Sequence, residues 1–154
     1  MRVESNVTGT SNDKQVVDTL NKYLRGELSA VETYQQAIEK LQTSAYVREL
    51  TDLRRAHEDR VQFLRQEIAR LGGRPADSSG PWGGFAKLVE GGAKLFGEKS
   101  AIAALEEGED HGLKLYRNDL DKLDADTRQL VENRLLADQE RSHRIMSALK
   151  HSFH

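Results

Sequence analysis

Both prolines, Pro75 and Pro81, and 8 of the 12 glycines fall between Gly72 and Gly97. No long regular element survives that density of breakers, because proline removes a backbone donor and glycine adds chain entropy. The sequence is thereby divided into two long halves poor in breakers. Asn12–Leu71 contains one glycine, Gly26, and Ser100–His154 contains two, Gly108 and Gly112. In both halves apolar residues recur at intervals of three and four, the spacing of a helix with one buried face.

Four amphipathic helices are expected. The first runs from Asn12 to Gln42, with Val16, Leu20, Leu24, Val31, Ile38 and Leu41 inward, and Asn12 with Gln15 forms a capping-box-like start. The second runs from Ser44 to Leu71 and stops at Gly72-Gly73. The third follows Ser100 and extends to Leu123; the fourth starts near Asp124 or Asp126, both suitable caps. The short joins within each half make two antiparallel hairpins. The crossover between them, 72–99, carries Trp82, Phe85, Leu88, Val89, Leu95 and Phe96, which predict a short amphipathic helix lying along the bundle. Two hairpins and one long crossover is the ferritin-like, all-α arrangement. Residues 1–11 are polar and are expected to form a loose tail, with 12–151 as one domain.

Composition narrows the function classes. There is no cysteine, which removes disulfides, thiolate zinc sites and cysteine nucleophiles. A net charge of -2 argues against a dedicated nucleic-acid binder. The longest uninterrupted apolar run, Ala101–Leu105, is too short for a bilayer, and the polar start reads as no secretory signal, so the cytoplasm is the expected compartment.

The halves resemble one another. At an offset of 82, Leu20 aligns with Ile102, Glu27 with Glu109, Val31 with Leu113, Tyr34 with Tyr116 and Ile38 with Leu120. At an offset of 85, Leu50 aligns with Leu135, Val61 with Met146 and Leu64 with Leu149. A duplicated hairpin packed about a pseudo-twofold axis makes equivalent residues face one another.

Glu27 and Glu109 interrupt apolar stripes at equivalent places. Two facing buried acids require a positive companion or a shared proton. His57 lies at the centre of the second stripe, with Arg54 and Arg60 on its shoulders, and Glu140-Arg141-Ser142-His143 supplies a Glu-x-x-His spacing. Glu27, His57, Glu109, Glu140 and His143 are therefore candidate ligands of a dinuclear site or of a single ion, with iron or manganese suited to carboxylate and imidazole donors. The competing reading pairs the acids with Arg54, Arg60 and His57 in a salt-bridge network. Tyr34 and Tyr116, on the acids' own faces, either line the core or hydrogen-bond a neighbouring carboxylate. Asp138 is expected to pair with an arginine.

Gly26-Glu27, the Leu71-Gly72-Gly73-x-Pro75 stop, and Gly108-Glu109-Asp110-x-x-Leu113-x-x-Tyr116 together resemble uncharacterised bacterial ferritin-like four-helix-bundle proteins over residues 13–150. Glu27-x6-Tyr34 is similar to the first-helix ligand pattern of ferritins and bacterioferritins, in which the Glu binds iron. That likeness implies Glu27, His57, Glu109, Glu140 and His143 as ligands. The sequence departs at Arg54, where ferroxidase proteins carry a ligand Glu. Two functions are thus expected as alternatives: an iron or manganese protein that oxidises Fe(II) or removes peroxide, or a non-enzymatic structural or stress-associated bundle. Self-association through Trp82–Phe96 is the expected partner contact.

Overall fold

The computed structural model describes residues 2–79 and 97–152, with side chains from residue 13 onward. Its long helices are α1 (Arg2–Lys40), α2 (Val47–Arg70) and α3 (Gly97–Asn118). A single turn of 3-10 helix, Leu120–Lys122, then leads into α4 (Ala125–Leu130), a π segment (Val131–Leu136) and α5 (Ala137–His151), which follow without a break as one rod. α1 packs along α2, and α3 along α5; the two hairpins meet chiefly through α1 against α3 and α2 against α5. Together they make the expected four-helix bundle. Among the described residues, no helix is long and apolar enough to cross a membrane.

Each rod buries most of the stripe its sequence implies, though Val31, Ile38 and Leu41, expected inward, are half-buried against the core. On α1 the buried residues include Val16, Leu20, Tyr23, Leu24, Glu27, Ala30 and Tyr34; on α3 they include Ile102, Leu105, Glu109, Leu113 and Tyr116. These intervals of three and four follow the 3.6-residue turn. The interior separates into two apolar clusters. One gathers Leu20, Leu24, Leu64, Ile68, Leu123, Val131 and Leu135. The other gathers Ala30, Leu50, Leu53, Ile102, Leu105 and Met146. Glu27, His57 and Glu109 occupy stripe positions between the two sets on their respective helices.

Helix ends are set by local chemistry. Gly72 (φ 79°) closes α2 in a left-handed conformation. The Gly73 N–H donates to Ile68 O and the Gly72 N–H to Ala69 O, each at 2.9 Å, the paired bonds of a Schellman stop. Asn21 of α1 then holds the start of the crossover, donating to Arg74 O at 3.0 Å and accepting from Ala76 N at 2.8 Å. A Cβ on Gly73 would stand 2.6 Å from Val17 Cγ1, on a stiff β-branched side chain. Gly73→Ala should therefore lower stability by about 1–3 kcal/mol, read by urea denaturation, although Ala ordinarily stiffens a chain favourably. Asp124 caps α4 through Thr127 N at 3.3 Å, as its sequence position suggests.

Four boundaries differ from expectation by three residues or more; one is the start of α2, at Val47 and not Ser44. Residues 2–11, expected as a loose tail, continue α1, which begins at Arg2, not Asn12. Once packing fixes a long helix, each residue added at its end gains a hydrogen bond without a new nucleation cost. The third helix stops at Asn118, short of Leu123, and its last residues turn as 3-10 helix. It also begins earlier, at Gly97. The crossover helix and its Trp82, Phe85, Leu88, Val89, Leu95 and Phe96 lie outside the described residues.

Candidate functional site

α1 and α3 each deliver one acid to the middle of the bundle, and both are buried: Glu27 is 3% exposed and Glu109 0%. His57 of α2 stands between them. Its Nδ1 is 2.5 Å from Glu27 Oε1 and its Nε2 is 2.7 Å from Glu109 Oε2. A neutral imidazole has one donor and one acceptor nitrogen; carboxylate oxygens at both nitrogens are matched by the imidazolium. Burial pushes His57 toward the neutral form, but Glu109 and Glu27 outweigh both that and the Arg60 charge, and its pKa lies above its ordinary 6.5.

Arg60 completes the centre. Its Nε donates to Glu27 Oε2 at 3.0 Å and one terminal nitrogen to Gln139 Oε1 at 3.0 Å, while the other reaches Asp138 Oδ2 at 2.5 Å. The Gln139-bonded nitrogen also lies 2.8 Å and 3.2 Å from the two His57 ring nitrogens, so the guanidinium rests against the imidazole. Burial pushes the Glu27 carboxyl up, yet Arg60 and His57, with the Tyr116 hydroxyl, bring it down to about 2. The cations Arg60 and His57 thus match the acids Glu27 and Glu109 in number, as low-dielectric burial demands.

The duplication is visible in the tyrosines. Tyr34 of α1 donates to Glu109 of α3, and Tyr116 of α3 donates to Glu27 of α1, both at 2.5 Å. Each hairpin therefore caps the other's acid, so Tyr34 and Tyr116 serve as hydrogen-bond donors. Burial raises the pKa of both, and the carboxylate each one faces raises it further. Gln139 of α5 fills the remaining side, its amide nitrogen donating to Glu109 Oε1 at 2.9 Å and Glu109 O at 2.8 Å. This approach uses Gly112, where a Cβ would lie 2.9 Å from that amide nitrogen.

The structure brings together Glu27, His57 and Glu109 but not Glu140 and His143. Glu140 faces outward and pairs with Arg117 at 3.0 Å. His143 lies beside Glu106 at 3.3 Å and Asp110 at 3.8 Å, away from the centre. The inward residues of this rod are Leu135, Gln139, Ser142 and Met146; Glu140 and His143 each follow an inward residue by one, a rotation of about 100°. The 85-residue offset, applied to polar positions, places Gln139 opposite Arg54 and Ser142 opposite His57. That relation is the signal by which Gln139 was legible, and the Glu-x-x-His spacing obscured it. Arg54 likewise does not reach the acids: it donates to Gln35 and lies 3.7 Å from Glu58. Helical side chains lean toward the N-terminus, so Arg60 leans back toward the level of His57 while Arg54 leans away. Asp138 pairs with Arg60 and with Arg141, the latter at 3.1 Å.

A dinuclear carboxylate centre takes one Glu from each of two helices and a Glu-x-x-His pair from each of the other two. Here those pairs read Arg54-x-x-His57 and Gln139-x-x-Ser142. Three of six ligand positions thus hold arginine, an amide and a hydroxyl. The void beside Glu27, His57 and Gln139 is about 10 Å³, room for about one water. Among the described residues no group of three or more His, Asp or Glu is arranged to hold a metal ion. The residues present do not fit a two-metal centre.

With 17% identity, 90% of this chain superimposes on 97% of a solved chain from Bacillus anthracis strain Ames at a TM-score of 0.64; its structure is described as that of ferritin-like, diiron-carboxylate proteins. At this identity the likeness establishes the fold. No curated protein matches the chain. The family profile for DUF2383, a domain of unknown function, matches residues 15–122, which take in α1 from residue 15 onward and all of α2 and α3, with both buried acids. The chain belongs to the DUF2383 family, and its fold is that of a ferritin-like four-helix bundle.

Proposed function

We propose that this protein is a non-enzymatic ferritin-like bundle whose central acids are neutralised by its own cations, Arg60 and His57, in place of metal ions. The observation that carries this reading is the Arg60 guanidinium, 3% exposed, bonded to Glu27 and resting against His57. A metal ion ligated by Glu27 and His57 would share that space with a fixed positive charge, and both His57 nitrogens are already engaged. The network supplies helix register: Glu27, His57, Glu109, Arg60 and Gln139 tie four separate rods at one level. A buried ionic layer of this kind adds little net stability over apolar packing but penalises slipped arrangements. The bundle's biological role is then exercised through its surfaces as a structural or stress-associated protein.

The iron or manganese reading keeps one support, the convergence of Glu27, His57 and Glu109 within a fold shared with a diiron-carboxylate protein. Elemental analysis and anaerobic calorimetric titration separate the two. Protein purified without a metal-affinity tag should carry no stoichiometric iron, manganese or zinc and give no saturable heat with Fe(II) or Mn(II). Stoichiometric binding that Glu27→Gln abolishes would overturn the proposal in favour of a metal centre.

A further inference from the structure

A cleft of about 440 Å³ opens between α2 and the rod formed by α4, the π segment and α5. Its volume lies within the usual range for small-molecule sites. Arg60, Arg134, Arg141 and Arg144 line it against two acids, Asp59 and Asp138. Asp138 is bonded to both Arg60 and Arg141. Arg134 and Arg144 have no acidic partner among the described residues, and the Arg134 guanidinium lies 4.9 Å from the centre of the Phe63 ring. The wall that carries Arg134 is the π segment Val131–Leu136. Such segments recur at functional sites because the wider turn displaces the backbone. Arg60 forms the buried floor: its Nε faces the central network, while one terminal nitrogen reaches Asp138 at the cleft wall.

We propose that this cleft binds a small organic oxyanion, a carboxylate or phosphate group on a single flat apolar ring. Arg144 and Arg141 would take the oxyanion, since guanidinium forks match both groups. The Arg134 guanidinium already covers the Phe63 ring at 4.9 Å, so the ligand's ring would stack on the other face of that guanidinium, where cation–π attraction favours a flat body. A bare inorganic anion gains only the first of these contacts.

The test is a titration of the full chain with phenyl phosphate, benzoate and inorganic phosphate at low ionic strength, followed by NMR shifts of the arginine side chains. Phenyl phosphate or benzoate should give saturable shifts at Arg134, Arg141 and Arg144, and which headgroup binds more tightly identifies the preferred oxyanion. Inorganic phosphate should bind at least about tenfold more weakly. Arg144→Gln, an exposed substitution remote from the core, should weaken the aromatic probe at least about tenfold while leaving the denaturation midpoint unchanged, one such contact corresponding to a tenfold change in affinity. No saturable shift with either aromatic probe, equal binding by Arg144→Gln and wild type, or equal binding of inorganic phosphate would each overturn the proposal.

Discussion

Arg60→Met should cost about 3–5 kcal/mol of folding stability, the usual penalty for removing one partner of a buried ion network. The methionine fills similar space, so the loss reports charge and hydrogen bonding more than a cavity. Glu27 would lose its 3.0 Å donor and Gln139 its contact to the same guanidinium. Against a typical domain stability of about 5–15 kcal/mol, the variant sits near the edge of folding, so the cycle with Glu27→Gln is needed. Adding Glu27→Gln to Arg60→Met removes the stranded charge and should recover stability. Measured by urea denaturation, the double variant should be more stable than the sum of the two single losses by about 1 kcal/mol or more. Additive losses would mean that Arg60 and Glu27 do not act as a pair.

Stability should peak in mildly acidic solution and fall on both sides, for two opposite reasons. The His57 pKa is raised above 6.5 in the folded chain. Its contribution is complete below 6.5 and is lost as pH rises through the raised folded value. Glu27 is lowered from 4.5 to about 2. Its contribution is complete above 4.5 and is lost as pH falls toward 2, and a shift of that size corresponds to roughly 3 kcal/mol. Denaturation midpoints between pH 5 and 9 should therefore decline toward the alkaline end, and His57→Gln should flatten that decline while lowering stability throughout. A wild-type profile flat from pH 5 to 9 would mean that His57 gains no proton affinity on folding.

The architecture was legible because it rests on patterns that survive in one dimension. The breaker cluster between Gly72 and Gly97 separates the hairpins, and the offsets of 82 and 85 reveal their duplication. Glu27, His57 and Glu109 stood out because charged residues on an apolar stripe must be explained by a partner. The partner itself was less legible. Arg54 and Arg60 flank His57 symmetrically in sequence, and only the N-terminal lean of helical side chains distinguishes them. On the last rod, Glu140 and His143 matched a ligand spacing, yet the apolar stripe of the sequence itself centres on Ser142, with Glu140 facing well away and His143 on its shoulder, and the structure keeps both out of the centre. Gln139 and Ser142, with no chemistry to advertise them, hold the inward positions. The reciprocal bonds of Tyr34 and Tyr116 required knowing that the hairpins cross-cap each other's acids, which a repeat hints at and only three-dimensional packing specifies.

The protonation of His57 is the most direct measure of a core balanced by the protein's own cations. A nitrogen-edited NMR spectrum of the histidine rings, recorded near neutral pH, should show both Nδ1–H and Nε2–H of His57, slow to exchange and shifted far downfield by their carboxylate partners. Both should persist when Mn(II) or Fe(II) is added anaerobically. A single ring N–H, or loss of one of the two on adding a stoichiometric metal ion, would contradict the account and place a metal where Arg60 and His57 now meet Glu27 and Glu109.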